Sequence, residues 1–160
     1  MNIDDLNFDI RKITDENIDA IKPLAEEALS DGDNFMKRTL DEWLNRKNNF
    51  SKINEGFWGI FIGNECIGIG GINIDPFIEN NDGTIGRVRH VYILKRCRGL
   101  GLSKTLMNFL ISFAKGKFKS LRLSTKNPIA RNLYLSLGFT EAPAEIEGLP
   151  ERVTYTLELK

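Results

Sequence analysis

The stretch RCRGLGLSKTLM, residues 96–107, puts two glycines directly before the first turn of an amphipathic helix. A helix start usually carries Ser, Thr, Asp or Asn as its N-cap, whereas Gly99 and Gly101 stand here. Glycine lets the backbone curl and approach a ligand closely, and the exposed amides of a helix start favour an anion. Cations lie nearby at Arg96, Arg98 and Lys104. The stretch therefore predicts a phosphate-binding turn, with a solvated glycine-rich turn as the alternative.

Two common phosphate loops do not fit this turn. It is too short for the GxxxxGK[ST] loop, and Lys104 stands where GxGxxG needs its last glycine. A mononucleotide or dinucleotide bound in those styles is therefore disfavoured, although a nucleotide-binding protein that uses the turn differently stays open as a third hypothesis.

The segments around the turn follow strand and helix patterns. Alternating or β-branched runs predict strands at 8–13, 84–94, 120–125 and 152–159, two strands joined at Gly63-Asn64 within 57–74, and an irregular segment or short strand at 139–150. Apolar periodicity predicts a helix capped by Thr14 and kinked or broken at Pro23, and further helices at 36–44, 102–114 and 128–137. This order predicts an α/β fold with a mixed sheet and helices on both faces.

The bulk composition limits the classes of function. A chain of 160 residues suits one domain, and 22 basic against 22 acidic side chains argue against nucleic acid or an anionic membrane as a partner. No apolar run is long enough to span a bilayer, and the start of the chain lacks the pattern of a signal peptide. Cys66, Cys97 and the single His90 do not form a metal-type cluster, so we expect no metal, reduced thiols and a cytoplasmic location.

Two motifs resemble those of the GNAT superfamily of N-acetyltransferases. RGLGLS, residues 98–103, is similar to the R/Q-x-x-G-x-G/A signature, with Ser103 where Gly or Ala is usual. NPIARNLYLSLGF, residues 127–139, is similar to the second motif of the family, N-x-x-A-x-x-x-Y-x-x-x-G-F. The resemblance implies the GNAT fold over residues 1–160 as a single domain, with a mixed, mostly antiparallel central sheet of six to seven strands and helices on both faces.

By this resemblance, the anion at the turn is the pyrophosphate of acetyl-CoA, the cosubstrate. The residues that would wrap it are Arg98, Gly99, Leu100, Gly101, Leu102, Ser103 and Lys104. The main chain of Val91, Tyr92 and Ile93 would pair with the pantetheine arm, which Asn127 would also touch. Strands 87–94 and 120–125 would splay apart to admit the thioester, and an N–H near Ile93 would polarise its carbonyl group.

The resemblance makes Tyr134 the acid that protonates the departing thiolate, with a plain core aromatic as the alternative. A phenol pKa near 10 keeps that proton in place at neutral pH. The general base is left open, because the positions where many members carry glutamate hold Arg87, Arg89 and Arg122. His90 is the nearest titratable candidate. Base action through water, an acceptor that arrives neutral and a structural His90 stay open.

An amine-bearing small molecule or peptide is the expected acceptor, attacked directly in a ternary complex. Candidate acceptor-site residues are Asp31, Asp33, Phe35, Met36, Trp43, Glu141, Glu145 and Glu147. Acidic groups there would attract an ammonium, whereas Arg87, Arg89 and Arg122 indicate either an acidic acceptor or structural ion pairs. The alternative to an enzyme is a catalytically silent acyl-CoA-binding sensor or interaction module. Members of the family are often dimeric, so a homodimer stays open.

Overall fold

A computed structural model describes residues 5–142 and 153–160 of the chain, and its centre is one seven-stranded sheet. The strands are β1 (Asp9–Lys12), β2 (Gly56–Ile62), β3 (Glu65–Ile74), β4 (Ile85–Ile93), β5 (Ser120–Thr125), β6 (Thr140–Glu141) and β7 (Val153–Glu158). The helices are α1 (Lys22–Ser30), α2 (Phe35–Leu44), α3 (Leu102–Ala114) and α4 (Pro128–Ser136). The spatial order is β1-β2-β3-β4-β5-β7-β6, and every neighbouring pair is antiparallel except β4 and β5. The predicted order of elements and the mixed sheet are confirmed, while the part of 139–150 beyond Ala142 lies outside the described residues.

The first helix starts later than predicted, and Thr14 does not cap it. The Thr14 amide donates to Asn17 Oδ1 at 2.7 Å, which closes a turn instead. A 3₁₀ turn over Ile18–Ile21 follows, and α1 begins at Lys22 with Pro23 in its first turn. Proline lacks the N–H that a helix interior needs and a first turn does not. The break predicted at Pro23 is therefore the beginning of α1.

The sheet carries helices on both faces, as predicted. A side chain at Gly70 of β3 would meet Leu106 of α3, whereas one at the adjacent Gly71 would meet Phe50. Phe50 stacks on Trp43 of α2. Because successive strand residues point to opposite faces, α2 covers one side of the sheet and α3 the other. We call these the α2 face and the α3 face.

β4 and β5 pair over only part of their length. Their parallel register joins Ile85 to Ser120, Gly86 to Leu121 and Arg87 to Arg122, and no further pair follows among the described residues. β4 continues to Ile93 alongside β3, while β5 continues to Thr125 alongside β7. The two strands therefore diverge, which confirms the predicted splay. The space between β4 beyond Arg87 and β5 beyond Arg122 is called the β4–β5 opening below.

A β-bulge bends β4 at this opening. The register against β3 puts two residues, His90 and Val91, opposite the single Gly70. His90 has a φ of +62°, which residues other than glycine seldom adopt. Bulges redirect side chains. Here Val91 lies against the Gly70 position on the α3 face, and the His90 ring stacks on Phe35 of α2.

A buried ion pair closes the other, paired end of the junction. Arg87 Nε donates to Asp75 Oδ1 at 3.0 Å, and the two side chains are 2% and 0% exposed. Asp75 Oδ1 also accepts from the Phe77 amide, and the Arg87 guanidinium lies over the Phe77 ring at 4.8 Å. A buried charge that loses its partner is strongly destabilising. The pair therefore fixes the loop after β3 against β4.

Candidate active site

The turn between β4 and α3 presents unpaired amides. Gly99 and Gly101 both have a φ of +82°, a left-handed conformation that glycine adopts without strain. Gly101 is the N-cap of α3, and no side chain caps this helix. No amide from Gly99 to Lys104 donates a hydrogen bond to another described residue. Because the Leu102 side chain is buried, Leu102 can contact a ligand at the turn only through its backbone amide. Consecutive donors at a helix N-terminus can bind an anion.

Arg98 links this turn to the end of β4. Its Nε donates to the Ile93 carbonyl oxygen at 2.8 Å, and its guanidinium lies 5.1 Å from the centre of the Tyr92 ring. These contacts fix the position of the turn, while the terminal Nη groups of Arg98 have no hydrogen-bond partner among the described residues. Two cations before the turn are in ion pairs, Arg96 with Glu65 and Lys95 with Asp31.

Glu27 of α1 binds the same end of β4, a role that no sequence motif indicates. Its Oε1 accepts from the Tyr92 hydroxyl at 2.8 Å and from the Lys95 amide at 2.9 Å. Burial, together with this carboxylate, raises the pKa of Tyr92 to about 12. Tyr92 therefore keeps its proton at neutral pH. No local pattern marks Glu27, because its role depends on how α1 packs across β4.

The backbone of β4 faces the opening at Ile93. The Leu94 amide donates to the Ile67 carbonyl oxygen of β3 at 2.9 Å. Successive residues of a strand direct their backbone groups to opposite edges. Those of Ile93 therefore point away from β3 and into the opening, where Arg98 reaches the carbonyl oxygen. The Ile93 amide is an N–H donor directed into the gap between the strands.

Tyr134 lies on α4, on the α3 face of the sheet. Its ring centre is 5.8 Å from that of Tyr155 and 6.0 Å from that of Phe139. Tyr155 pairs in register with Leu123 of β5. Burial raises the pKa of Tyr134, and Tyr155 adds to the effect. Across residues 5–142 and 153–160, its hydroxyl has no hydrogen-bond partner. A protonated, unpaired hydroxyl of this kind can donate to a group that enters between the strands.

Asn127 connects β5 to α4. Its Oδ1 accepts from the Ile129 amide at 3.0 Å and so caps the helix. Its own amide donates to the Thr125 hydroxyl at 3.0 Å, which tightens the turn at the end of β5. Capping uses the side-chain oxygen and leaves the NH₂ group as a donor.

His90 is held on the α2 face as a neutral ring. Its Nδ1 lies 3.1 Å from Thr39 Oγ1, and that hydroxyl donates its only proton to the Phe35 carbonyl oxygen at 2.8 Å. The ring hydrogen is therefore on Nδ1, and Nε2 carries the lone pair. Burial lowers the pKa of His90 to about 3, helped by the positive charges of Arg89 and Arg38. Such a ring accepts a hydrogen bond at neutral pH and is a weak base. Thr39 is a further residue that the sequence did not single out.

The three arginines at the expected base positions have different environments. Arg87 is in the buried ion pair with Asp75. Burial lowers the pKa of Arg89, whose guanidinium makes one long hydrogen bond, 3.4 Å to Asn73 Oδ1. Arg122 Nε is buried and has no hydrogen-bond partner within the described part of the chain. Within residues 5–142 and 153–160, Arg87 therefore forms a structural ion pair, and Arg89 and Arg122 form none.

Few of the predicted acceptor-site residues gather here. Phe35 does, since it stacks on His90 with ring centres 6.3 Å apart. Met36 is in the core, and the buried Trp43 donates its indole N–H to Asp15. The acidic candidates have local partners: Asp31 pairs with Lys95, Asp33 accepts from the Phe35 amide, and Glu141 pairs with Arg131. Glu145 and Glu147 lie outside the described residues.

Metal and membrane features are missing from residues 5–142 and 153–160. These residues contain no group of three or more His, Cys, Asp or Glu side chains that could hold a metal ion. None of their helices has the length and apolar character needed to cross a bilayer. Cys66 and Cys97 are both buried and not in a disulfide.

Comparison with known proteins agrees with this geometry. The model of the acetyltransferase (GNAT) family matches residues 18–139. A solved structure from Exiguobacterium sp. 255-15 is 24% identical with a TM-score of 0.77, covering 96% of this chain and 94% of that one. An N-acetyltransferase from Staphylococcus aureus Mu50 is 19% identical with a TM-score of 0.75, covering 96% and 99%. A GNAT-family acetyltransferase from Streptococcus pneumoniae is 19% identical with a TM-score of 0.71, covering 96% and 100%. These similarities show a shared fold, and no curated protein matches the sequence significantly.

Proposed function

The chain belongs to the GNAT family of acetyltransferases, and we propose that it moves an acetyl group from acetyl-CoA to a primary amine of a small molecule or peptide. In this proposal the amine attacks directly in a ternary complex, within a single domain over residues 1–160. The main support for this function is that the backbone amides of residues 99–104, unpaired among the described residues, adjoin the β4–β5 opening. The amides would donate hydrogen bonds to a pyrophosphate group, and the gap between the strands would hold an extended thioester arm.

Acetyl-CoA would supply the acetyl group as an activated thioester, and the residues present fit it. The donors for its pyrophosphate are the amides of Gly99, Leu100, Gly101, Leu102, Ser103 and Lys104, with the Nη groups of Arg98 beside them. The backbone of Val91, Tyr92 and Ile93 would offer its edge to the amides of the pantetheine arm. The side-chain NH₂ group of Asn127 would donate from the opposite wall.

Two donors at the opening would act on the reacting atoms. The Ile93 amide points into the gap, where it would polarise the thioester carbonyl group. Tyr134 would hold a proton for the departing thiolate, and its raised pKa keeps that proton on the hydroxyl at neutral pH. Because the Tyr134 hydroxyl makes no hydrogen bond to another described residue, donation would break no existing contact.

His90 would position the attacking amine. Its Nε2 lone pair can accept a hydrogen bond from a neutral amine, while a pKa of about 3 leaves it too weak to deprotonate an ammonium efficiently. We propose that the neutral form of the acceptor binds and that its proton leaves through water. As a consequence, kcat/KM should rise with pH until the acceptor amine is neutral. A base role for His90 is tested below.

Amine-dependent release of thiol from acetyl-CoA tests this function. A panel of primary amines is incubated with the protein, and mass spectrometry of the acetylated product checks that thiol and product form in equal amounts. Reactions that lack the amine are the control for simple hydrolysis. We expect at least one amine to be acetylated. Binding of acetyl-CoA without turnover of any amine would favour the acyl-CoA-binding module instead.

Thermal melts test the cofactor separately from turnover. A ligand that binds only the folded state at 100 times its Kd stabilises it by about 2.7 kcal/mol. Acetyl-CoA and desulfo-CoA should each raise the Tm, and NAD should not. A shift with NAD and none with either CoA compound would contradict the assignment of the turn.

The cytoplasm is the proposed location. Cys66 and Cys97 are both buried thiols outside any disulfide, as is usual in a reducing compartment. Fractionation of cells that produce the protein, with a cytoplasmic marker enzyme followed in parallel, tests this assignment.

A further inference from the structure

Two arginines flank the β4–β5 opening on the α2 face. Arg87 Nη1 donates to Ser124 Oγ at 3.4 Å, so these two side chains share a face. Because strand side chains alternate, Arg89 lies on that face of β4 and Arg122 on that face of β5. Pairing of the strands ends at Arg122, and Arg89 stands two residues further along β4. Both residues therefore stand at strand positions that border the gap in which transfer would occur, while the Arg89 guanidinium contacts Asn73 and Phe77 on the β3 side of β4.

Neither arginine has an acidic partner in the described part of the chain. Arg122 Nε is buried without a hydrogen-bond partner. With the residues that the structure describes, Arg89 makes a 3.4 Å hydrogen bond to the neutral Asn73 and a cation–π contact, 5.7 Å from the Phe77 ring centre. A buried donor left unsatisfied costs free energy, and more so when it carries a charge. Such groups are unusual in a folded protein, and a bound water, ion or ligand is one way in which they are satisfied.

The charges around Arg89 have both signs. Asp75 attracts Arg89 but is already bound to Arg87. Glu42 of α2 also attracts Arg89, without forming an ion pair with it, while the exposed Arg38 adds a further positive charge. The Glu55 carboxylate lies behind Asn73, where it accepts hydrogen bonds from Asn73 Nδ2 and the Ile74 amide. No carboxylate of the described residues forms an ion pair with Arg89 or Arg122, so an anionic ligand would supply one.

We propose that the acetyl acceptor carries an anionic group, a carboxylate or a phosphate, which Arg89 and Arg122 bind beside the amine. The proposal rests on the proposed function, because it assigns the acceptor class of the same opening. Arginine suits either anion, since its planar fork donates two parallel hydrogen bonds to carboxylate or phosphate oxygens. The neutral His90 on the same face would then hold the amine end of the acceptor while the arginines hold the acidic end.

Amine pairs matched except for the anion test this, with kcat/KM and binding expressed per concentration of neutral amine. Tyrosine against tyramine adds a carboxylate, and phosphoethanolamine against ethanolamine adds a phosphate. In each pair we measure kcat/KM for acetylation and, separately, equilibrium binding to the complex of the protein with desulfo-CoA, where no transfer occurs. We expect the anionic member of at least one pair to be favoured by about ten- to a hundredfold, as for hydrogen bonds to charged groups. The pair with the larger ratio identifies the anion.

Arginine variants connect the preference to these residues. Arg89→Gln and Arg122→Gln should each lower the ratio of anionic to neutral acceptor at least fivefold, mainly through KM. Arg89→Lys and Arg122→Lys keep the charge and should restore part of the ratio. Arg11→Gln is the matched control, because Arg11 lies on β1 at the far edge of the sheet and pairs with Asp9. Thermal melts of every variant verify folding. If a glutamine variant does not fold, the lysine variant at the same position is compared with the wild type instead.

The outcomes separate this proposal from the proposed function. The anionic acceptor is overturned if both members of each pair bind equally well, or if no member of any pair binds. It is also overturned if the anionic member is preferred and the Arg89 and Arg122 variants leave that preference unchanged. If amines without an anionic group are acetylated with the same kcat/KM as amines that carry one, the proposed transferase function is supported and the anion subsite is contradicted. If acidic amines bind in an arginine-dependent way without any acetylated product, the subsite stands and the function fails.

Discussion

The two ends of the β4–β5 junction are built differently. At the paired end, the register from Ile85 to Arg87 joins the strands, and Arg87 is buried against Asp75. At the open end the strands separate, His90 sits in a bulge with a φ of +62°, and the next turn offers unpaired amides. The first end pairs an arginine with a carboxylate inside the protein, although Asp75 Oδ2 has no hydrogen-bond partner in the described residues. The second end presents a row of backbone N–H donors without partners in the same residues, and this contrast is why we propose the open end as the ligand site.

One register pair of β4 and β5 shows the same difference between a paired and an unpaired side chain. Arg87 and Arg122 lie directly beside each other across the strands. The first is held by Asp75 from the loop after β3, whereas the Nε of the second is buried without a hydrogen-bond partner in the described residues. Two identical side chains at one level of the sheet thus have different surroundings, because among the described residues only Arg87 forms an ion pair with a carboxylate.

The largest expected effect belongs to the paired end. Arg87→Ala should lower the free energy of unfolding by about 3–5 kcal/mol, because it leaves the Asp75 carboxylate buried without its partner. Urea denaturation measures this loss. Arg11→Ala removes an exposed arginine paired with Asp9 and should change stability far less. Equal stability of Arg87→Ala and the wild type would show that the pair does not hold the junction together.

At the open end, Tyr134→Phe should affect chemistry and leave binding intact. The ring still packs on Tyr155 and Phe139, so only the hydroxyl is lost. If that hydroxyl protonates the thiolate, kcat and kcat/KM fall together by about 10²-fold, with little change in acetyl-CoA affinity. Tyr155→Phe is the matched control, since it removes a neighbouring hydroxyl and should leave kcat unchanged. A wild-type rate for Tyr134→Phe, with chemistry limiting turnover, would make Tyr134 a core aromatic only.

His90 connects the open end to pH. Its pKa falls from 6.5 to about 3 on folding, so the unfolded chain binds a proton that the native state rejects. The stability that His90 contributes is therefore fully present above about pH 6.5 and is lost as pH falls towards 3. Between pH 7 and 5 the wild type should lose about 2 kcal/mol more than His90→Asn. Asparagine tolerates the left-handed backbone here, and urea denaturation at both values measures the difference.

The same variant tests His90 as a base. With a pKa of about 3, His90 should produce no acid limb in kcat/KM near pH 6.5, and His90→Asn should leave the shape of the profile unchanged above pH 5. An acid limb near pH 6.5 that disappears in His90→Asn would contradict the neutral, buried ring and make His90 the base.

The smallest expected effect is at the turn. Gly101→Val should lower acetyl-CoA affinity about tenfold, because a β-branched side chain at a φ of +82° is strained and crowds the amides. Gly116→Val is the control, since Gly116 has a φ of +81° and open space around it, away from the turn. Both variants carry the same backbone strain, and only the first should weaken acetyl-CoA binding in a titration. Equal affinities for the two variants would remove the turn from the cofactor site.

Sequence alone determined most of the secondary structure and the location of the turn. Left-handed glycines, the Asn127 cap and the Pro128 helix start depend on neighbouring residues, so local chemistry is enough to predict them. The error at Thr14 has a local cause too, since its turn with Asn17 competes with a helix cap. Tyr134 was found because the motif spacing marks it, and its role stays a prediction.

Tertiary structure decided which polar groups have partners. Glu27 reaches Tyr92 across 65 positions of the chain, and Thr39 reaches His90 across 51. The low pKa of His90, which follows from burial and the charges of Arg89 and Arg38, depends on the packing of α2 against the bulge. The sequence could not separate Arg87 from Arg89 and Arg122, because all three are arginines on strands. What distinguishes Arg87 is its short distance to Asp75. Such a distance, between residues that are far apart in the chain, is set only when the helices and the sheet pack together.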